Sequence, residues 1–513
     1  NDWGPKGIMV DMDMFASVGL RYIHEATPDA EVKAVAERYT RALFTEERYF
    51  HPAGYFTDCS CFDTSYNGIS LYFGTWCALM SDWGFARRAM DQAYRLRAHL
   101  SFPDPAGNFS GPSHMSSRTS ADPPHDQWQS IPRHCAAGMI SDHALYLCPA
   151  PSAKAFDAAP QTIAAILNRQ LASPFPPDFQ PWRETHWSSE INFAYEHYQR
   201  GHYERLLKLV KLNSPLLKSP YQRNETFIRE FAKAFIIAKF PTWGGAIHMG
   251  PVGKAIGNLG LPYGYGGGQL SAYWTPSTGA VLLGRRRGAQ GHAYDAYAEW
   301  QSWPIHAVTG LTELGELVSS SRIEQPEPKS EVGRDRAIVR VSGVMPKYNA
   351  DRTAIGPSGL QYQRRFRLGP DGVRVTTTVT SSAPERMTEL YESIPVFLRE
   401  QGEKPAVIWF QIGDTWEEAT PELRSAVRAI RVDRFTGSVL ITFSRPCAVK
   451  LSPQVWRDGF QTQAECRTIL VDLIGEQSRP CLLRSASVEY TIRPGPRAEA
   501  RAHSPALQIC MTR

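Results

Sequence analysis

The stretch Gly107 to Thr119 places an imidazole, His114, and a guanidinium, Arg118, four residues apart, and its Gly and Pro residues mark a loop. Imidazole exchanges protons near neutral pH, and guanidinium grips a carboxylate bidentately. Trp182 to Asn192 brings His186 and Trp187 to a loop-to-helix edge, where the indole offers a flat face for a sugar ring and the imidazole a second acid/base group. Pro262 to Gly268 holds Tyr263 and Tyr265 in a glycine-bounded segment; a phenol there can donate or accept a proton. Asn67 precedes an apolar periodic stretch and either caps a helix or presents its amide to a ligand. Each of these has a plainer reading: a hydrogen-bonded loop histidine, an aromatic buried at a helix start, or a glycine connection chosen for positive φ.

Several other chemistries find no pattern. His125, His134, Cys135 and His143 fit no compact metal-ligand spacing, no HExxH occurs, and nine cysteines contain no CxxC pair. Neither a metal nor a cofactor is expected. The Gly-rich stretch lacks GxxxxGK[ST], which argues against a phosphate cradle.

The elements that must carry these residues change along the chain. Val32, Val35, Ala36, Tyr39 and Leu43 recur at helical spacing, as do Ile163, Ile166, Leu167 and Leu171. Further helices are expected over Asn67 to Trp83, Phe85 to Leu100, Ile191 to Val210 and Phe227 to Phe240, the last capped by Asn224. After Phe240 the pattern alternates. Gln269 to Trp274 and Ala280 to Leu283 read as a hairpin, and Arg336 to Val341, Tyr362 to Leu368, Val373 to Thr380, Ala406 to Gln411, Val439 to Phe443 and Val488 to Ile492 read as strands. The expected fold is therefore α+β: an N-terminal α/α toroid, an incomplete barrel of helical hairpins over residues 1–240, followed by a C-terminal antiparallel β-sandwich over residues 241–513.

The 513 residues exceed the usual single-domain size, in keeping with two domains. Thirteen of the fourteen histidines and ten of the thirteen tryptophans lie at or before His306, which assigns the chemistry to the first three fifths. The formal charge of +5 is mildly basic and favours acidic ligands. A dense Lys/Arg stripe is lacking, so nucleic acid is not expected as a partner. Neither is a membrane, because no apolar run is long enough to span one. The chain starts at Asn1 without a charged-then-apolar leader, and a secreted or periplasmic location is the expectation.

A helical domain followed by antiparallel sheet, joined through Gly244-Gly245-Ala246-Ile247-His248 and Gly266-Gly267-Gly268-Gln269, resembles the toroid-type polysaccharide lyases of the heparinase II/III-like and alginate/chondroitin lyase group. The His/Gly/His/Ala/Asp form usual in heparinases is absent. The resemblance implies cleavage of an acidic, uronate-containing polysaccharide by β-elimination in a cleft between the domains. It also implies site residues: His114 and Arg118 on the substrate carboxylate, with His114 alternatively moving the proton; His186, His248 and Tyr265 among the acid/base groups; and Asn67, Trp187, Tyr263 and Gln269 contacting sugar. Two other classes stand beside it. A glycoside hydrolase needs two opposed carboxylates, for which Asp126, Glu190 and Glu299 are available, and a non-catalytic carbohydrate-binding protein would use the aromatics alone.

Overall fold

The fold is given by a computed structural model that describes residues 29–58, 61–62, 83–103, 109–112, 220–250, 266–284, 297–323, 326–349, 354–399, 403–457 and 464–496, with scattered positions between 10 and 77 and residue 105. Two helices have both ends among them: α1 (Ala30–Thr45) and α2 (Gly84–His99). Asp29 caps α1, its Oδ1 accepting from the Glu31 and Val32 amides at 2.7 and 3.2 Å, which satisfies two of the donors a helix start leaves open. Short strands β1 (Phe50–His51), β2 (Tyr55–Asp58) and β3 (Cys61–Phe62) form one small sheet, and β4 (Phe102–Pro103) pairs with β5 (Phe109–Ser110).

A five-stranded antiparallel sheet follows: β6 (Phe227–Phe231), β7 (Phe235–Lys239), β8 (Gly244–His248), β9 (Gln269–Thr275) and β10 (Gly279–Leu283), hydrogen-bonded in sequence order. Every residue of β7 to β10 is buried, because both faces are covered. On one face Ile237, Ala246, Ala272 and Trp274 pack with Leu96 and Leu100 at the end of α2; on the other, Ile236, Trp243, Ile247, Leu270 and Val281 join the core of the large sheet.

That large sheet comprises β11 (Ala307–Thr312), β12 (Leu317–Ser319), β13 (Glu327–Val332), β14 (Ala337–Tyr348), β15 (Ala354–Gly369), β16 (Gly372–Ser381), β17 (Arg386–Arg399), β18 (Val407–Ile412), β19 (Thr415–Glu418), β20 (Arg424–Arg434), β21 (Gly437–Leu451), β22 (Trp456–Arg457), β23 (Glu465–Asp472), β24 (Cys481–Leu482) and β25 (Ser485–Gly495). β14, β16 and β25 alternate buried residues with more exposed ones, the pattern of sheet with one face on a core, whereas β17 is buried throughout Leu390–Leu398. β21 pairs with β25 over its first half, Ser438 to Phe443, and with β23 over Val449 to Leu451. This double pairing closes nine strands into a ring: β21, β25, β16, β15, β14, β12, β11, β17 and β23. Arg434 fastens the two sheets, donating to Thr278 O at 3.2 Å, Ala280 O at 2.9 Å and Glu403 Oε2 at 2.9 Å.

The expected α/α toroid followed by a β-sandwich is overturned. The described residues are mostly strand, no helical toroid is seen among them, and the large sheet closes as a nine-strand barrel. One cause is local. Phe227 to Phe240 is a hairpin, and its helix-like spacing of Phe227, Phe231 and Phe235 arises because Phe231 and Phe235 face each other across the loop Ala232–Ala234. Ala232 and Lys233 adopt φ of 42° and 58°, left-handed conformations that no Gly or Asn announces. The helices expected around Ile163–Leu171 and over Ile191–Val210 lie outside the described residues. Among the described residues no helix is long and apolar enough to cross a membrane.

Candidate functional site

Strands β8 and β9 bring two of the expected site residues together: His248 closes one strand, Gln269 opens the next, and they are direct register partners. Residues 249–268 therefore leave and re-enter the sheet at one place, and Tyr263 and Tyr265 belong to that interval. His248 is buried with its ring 4.8 Å from that of Phe235. Gln269 is buried as well; its Nε2 donates to Gly266 O at 2.8 Å, and no described residue donates to its Oε1.

The return into β9 needs two left-handed residues, Gly267 at φ 80° and Gly268 at φ 72°. A Cβ on Gly267 would lie 2.0 Å from Ser320 O, and one on Gly268 would lie 2.7 Å from the Val341 side chain. Glycine is thus required by conformation and by space. The turn is tied from both sides: the Gly266 amide donates to Ser321 O at 3.0 Å, and Arg364 Nη1 donates to Gly268 O at 3.0 Å.

Behind this turn lies a fully buried polar network formed by residues that no sequence motif marks. The Leu270 amide donates to His306 Nδ1 at 2.9 Å, which leaves the proton on Nε2; Nε2 faces the Tyr490 hydroxyl at 2.7 Å, and that hydroxyl donates to Glu392 Oε1 at 2.8 Å. Arg364 Nη2 donates to Glu392 Oε2 at 2.6 Å, Nε to Thr377 Oγ1 at 3.0 Å, and Nη1 also to His306 O at 3.1 Å. Burial, and then the charge of Arg364, lower His306 to about 4, outweighing the Glu392 contact. Burial alone would raise Glu392, but Arg364, His306 and Tyr490 together hold it down to about 2. At neutral pH the network is a neutral imidazole beside a guanidinium–carboxylate pair. Its chemistry is positional: it fixes the backbone on both sides of Gln269.

A second buried histidine behaves alike. His99, at the end of α2, donates from Nδ1 to Arg95 O at 2.6 Å and meets the Arg229 guanidinium with Nε2; burial lowers it to about 4, so it too is neutral at pH 7.

Asn67 lies buried at a helical position, its Oδ1 accepting from the Phe56 amide at 3.0 Å. Its carbonyl oxygen thus braces the β2 strand. His114, Arg118, His186, Trp187, Tyr263 and Tyr265 lie outside the described residues. No group of three or more His, Cys, Asp or Glu side chains that could hold a metal occurs among the described residues.

The missed residues carried a visible signal. Arg364 stands between Tyr362 and Phe366 and Tyr490 between Val488 and Ile492, each at an inward position of an alternating strand, and Glu392 stands between Leu390 and Ile394 in a stretch of β17 that is buried throughout. A polar group at a buried position in three separate strands implies that they meet.

No family model matches the chain, and no curated protein is similar to it. Similar solved structures include a heparinase III, at 9% identity over 94% of this chain and 59% of that one, with a TM-score of 0.49. They also include a variant of chondroitin AC lyase from Streptomyces coelicolor, at 13% identity over 93% and 59%, TM-score 0.44, and a heparan sulfate lyase from Pedobacter heparinus, at 10% identity over 94% and 76%, TM-score 0.33. The chain spans 59% of the length of the first two, and its solved neighbours include polysaccharide lyases.

Proposed function

We propose that the chain is an exported enzyme that cleaves an acidic, uronate-containing polysaccharide by β-elimination. The observation that carries this reading is the register pairing of His248 with Gln269, which makes the tyrosine-bearing interval between them start and finish against an imidazole and an amide. Arg118 and His114 bind the uronate carboxylate, drawing charge from it so that the adjacent C5 proton becomes acidic. Tyr265 removes that proton. The electron pair left at C5 forms the C4–C5 double bond as the C4–O bond breaks, and the departing glycosidic oxygen takes a proton from Tyr265 or His186. Trp187 and Tyr263 stack on sugar rings, with Asn67 and Gln269 as amide contacts. His248 holds the end of β8 beside Gln269 and supplies the imidazole nearest the tyrosine interval in sequence.

The test is ultraviolet absorbance of the conjugated unsaturated uronate during incubation with a panel of uronate polysaccharides. Tyr265→Phe should lower product formation by about 10²- to 10⁴-fold with substrate binding largely retained. Full turnover in that variant removes the assignment of Tyr265. New reducing ends without the absorbance replace elimination by hydrolysis.

A further inference from the structure

The solvent face of β13 to β16 carries cations at adjacent positions. Lys329 lies directly opposite Arg340, and Arg340 directly opposite Arg365; one pleat along, Arg367 lies opposite Arg374. All five side chains are exposed or half-buried, whereas the alternate residues, such as Val339, Phe366 and Val375, are buried in the core. Two carboxylates answer five cations: Glu331 pairs with Arg340 at 2.8 Å, and Glu489 pairs with Arg374. Lys329, Arg365 and Arg367 make no ion pair with a described residue. Partial desolvation lowers Arg365, and so do Arg367 and Arg340 beside it, outweighing the opposite pull of Glu331.

Like charges directly opposite each other destabilise a strand pair, and three such oppositions occur here. Protection of an open sheet edge explains Lys329 on β13 but not the arginines, because β14, β15 and β16 are interior strands of the closed ring. At about 4.8 Å between strands and about 3.4 Å per residue, the cations cover roughly 14 by 7 Å. Guanidinium forks on that grid match carboxylate or sulfate groups spaced several ångströms apart on an extended chain. The exposed Gln363 and half-buried Thr376 and Thr378 add hydrogen-bonding groups suited to sugar hydroxyls. No Trp, Tyr or Phe points outward between Ile338 and Ser342, Gln361 and Arg367, or Arg374 and Thr378, so the face offers no platform for stacked bases.

We propose that this face is a second binding surface for an acidic polysaccharide, on the opposite side of β15 from Arg364 and separate from the His248–Gln269 junction. The choice of glycan rests on the substrate class proposed above. The surface holds anionic groups of the same polymer while another part of it is processed.

The test uses the full chain titrated with labelled dextran sulfate, polygalacturonate and a single-stranded oligonucleotide at several salt concentrations. Dextran sulfate carries no uronate and cannot undergo elimination, so its binding is read whether or not any product forms. Arg365→Gln with Arg367→Gln should weaken both glycans about tenfold and make the salt dependence shallower, by about one unit of slope for each cation removed. The unsaturated-product rate on a short uronate oligosaccharide should stay unchanged, and the thermal midpoint should hold or rise as repulsion is removed. Arg365→Lys with Arg367→Lys, which keeps the charge, should retain most of the binding. Unchanged glycan affinity in the Gln variant overturns the proposal, as does an oligonucleotide bound more tightly than either glycan and released by the same substitutions. Absence of unsaturated product from every protein sinks the elimination reading alone.

Discussion

Glu392 and Arg364 are both fully buried, and each is the other's main means of remaining charged. Removing one partner of such a pair costs more than the pair contributes, because the surviving charge has no solvent. Glu392→Gln should therefore destabilise the protein by about 3–5 kcal/mol, whereas Glu392→Leu combined with Arg364→Met should recover most of that loss. Midpoints of denaturant unfolding for Glu392→Leu, Arg364→Met and the double variant check this; additive losses would contradict it. The same residues show what was legible at this scale. Histidine enrichment pointed to acid/base chemistry, yet His306 and His99 are neutral hydrogen-bonding parts of the framework. Their environment is assembled by strands far apart in the chain, which residue counts cannot express.

At the scale of elements, the turn Gly266–Gly268 is the piece most constrained by its surroundings. Gly267→Ala combines a left-handed backbone with a Cβ 2.0 Å from Ser320 O, and it should cost at least about 2 kcal/mol while speeding hydrogen exchange at the Gly266 amide. Gly315→Ala is the matched control: φ is also positive at 77°, but nothing lies within 4 Å, so its cost should stay near about 1 kcal/mol. Equal losses in thermal and denaturant midpoints would remove the steric argument. Elements whose pattern is purely local were readable. Glu31 to Leu43 falls within α1, Phe85 to Leu100 largely within α2, and Gln269 to Leu283 is the expected hairpin. Phe227 to Phe240 was not, because its loop uses Ala232 and Lys233 where glycine or asparagine would have marked a reversal. Of the expected site, only His248, Gln269 and Asn67 fall among the described residues, and the pairing of the first two follows from strand register rather than from any motif.

For the whole molecule, strand alternation in the C-terminal half was clear, but closure was not, since it depends on β21 splitting its length between β25 and β23. That split has a consequence for the order of events during synthesis. β25 is the last described strand, yet it fills the gap between β16 and β21, so the ring stays open until residues 485–495 have left the ribosome. A chain ending before Ser485 leaves two long strands with unsatisfied backbone groups on facing edges, a template for pairing with other chains. Such a truncation should yield a protein that aggregates or is degraded, with no cooperative unfolding transition, and a soluble monomer with a native-like midpoint would contradict this. With so much of its pairing between distant segments, the chain should fold slowly, and the last of the described strands to be made is the one that ends its exposure.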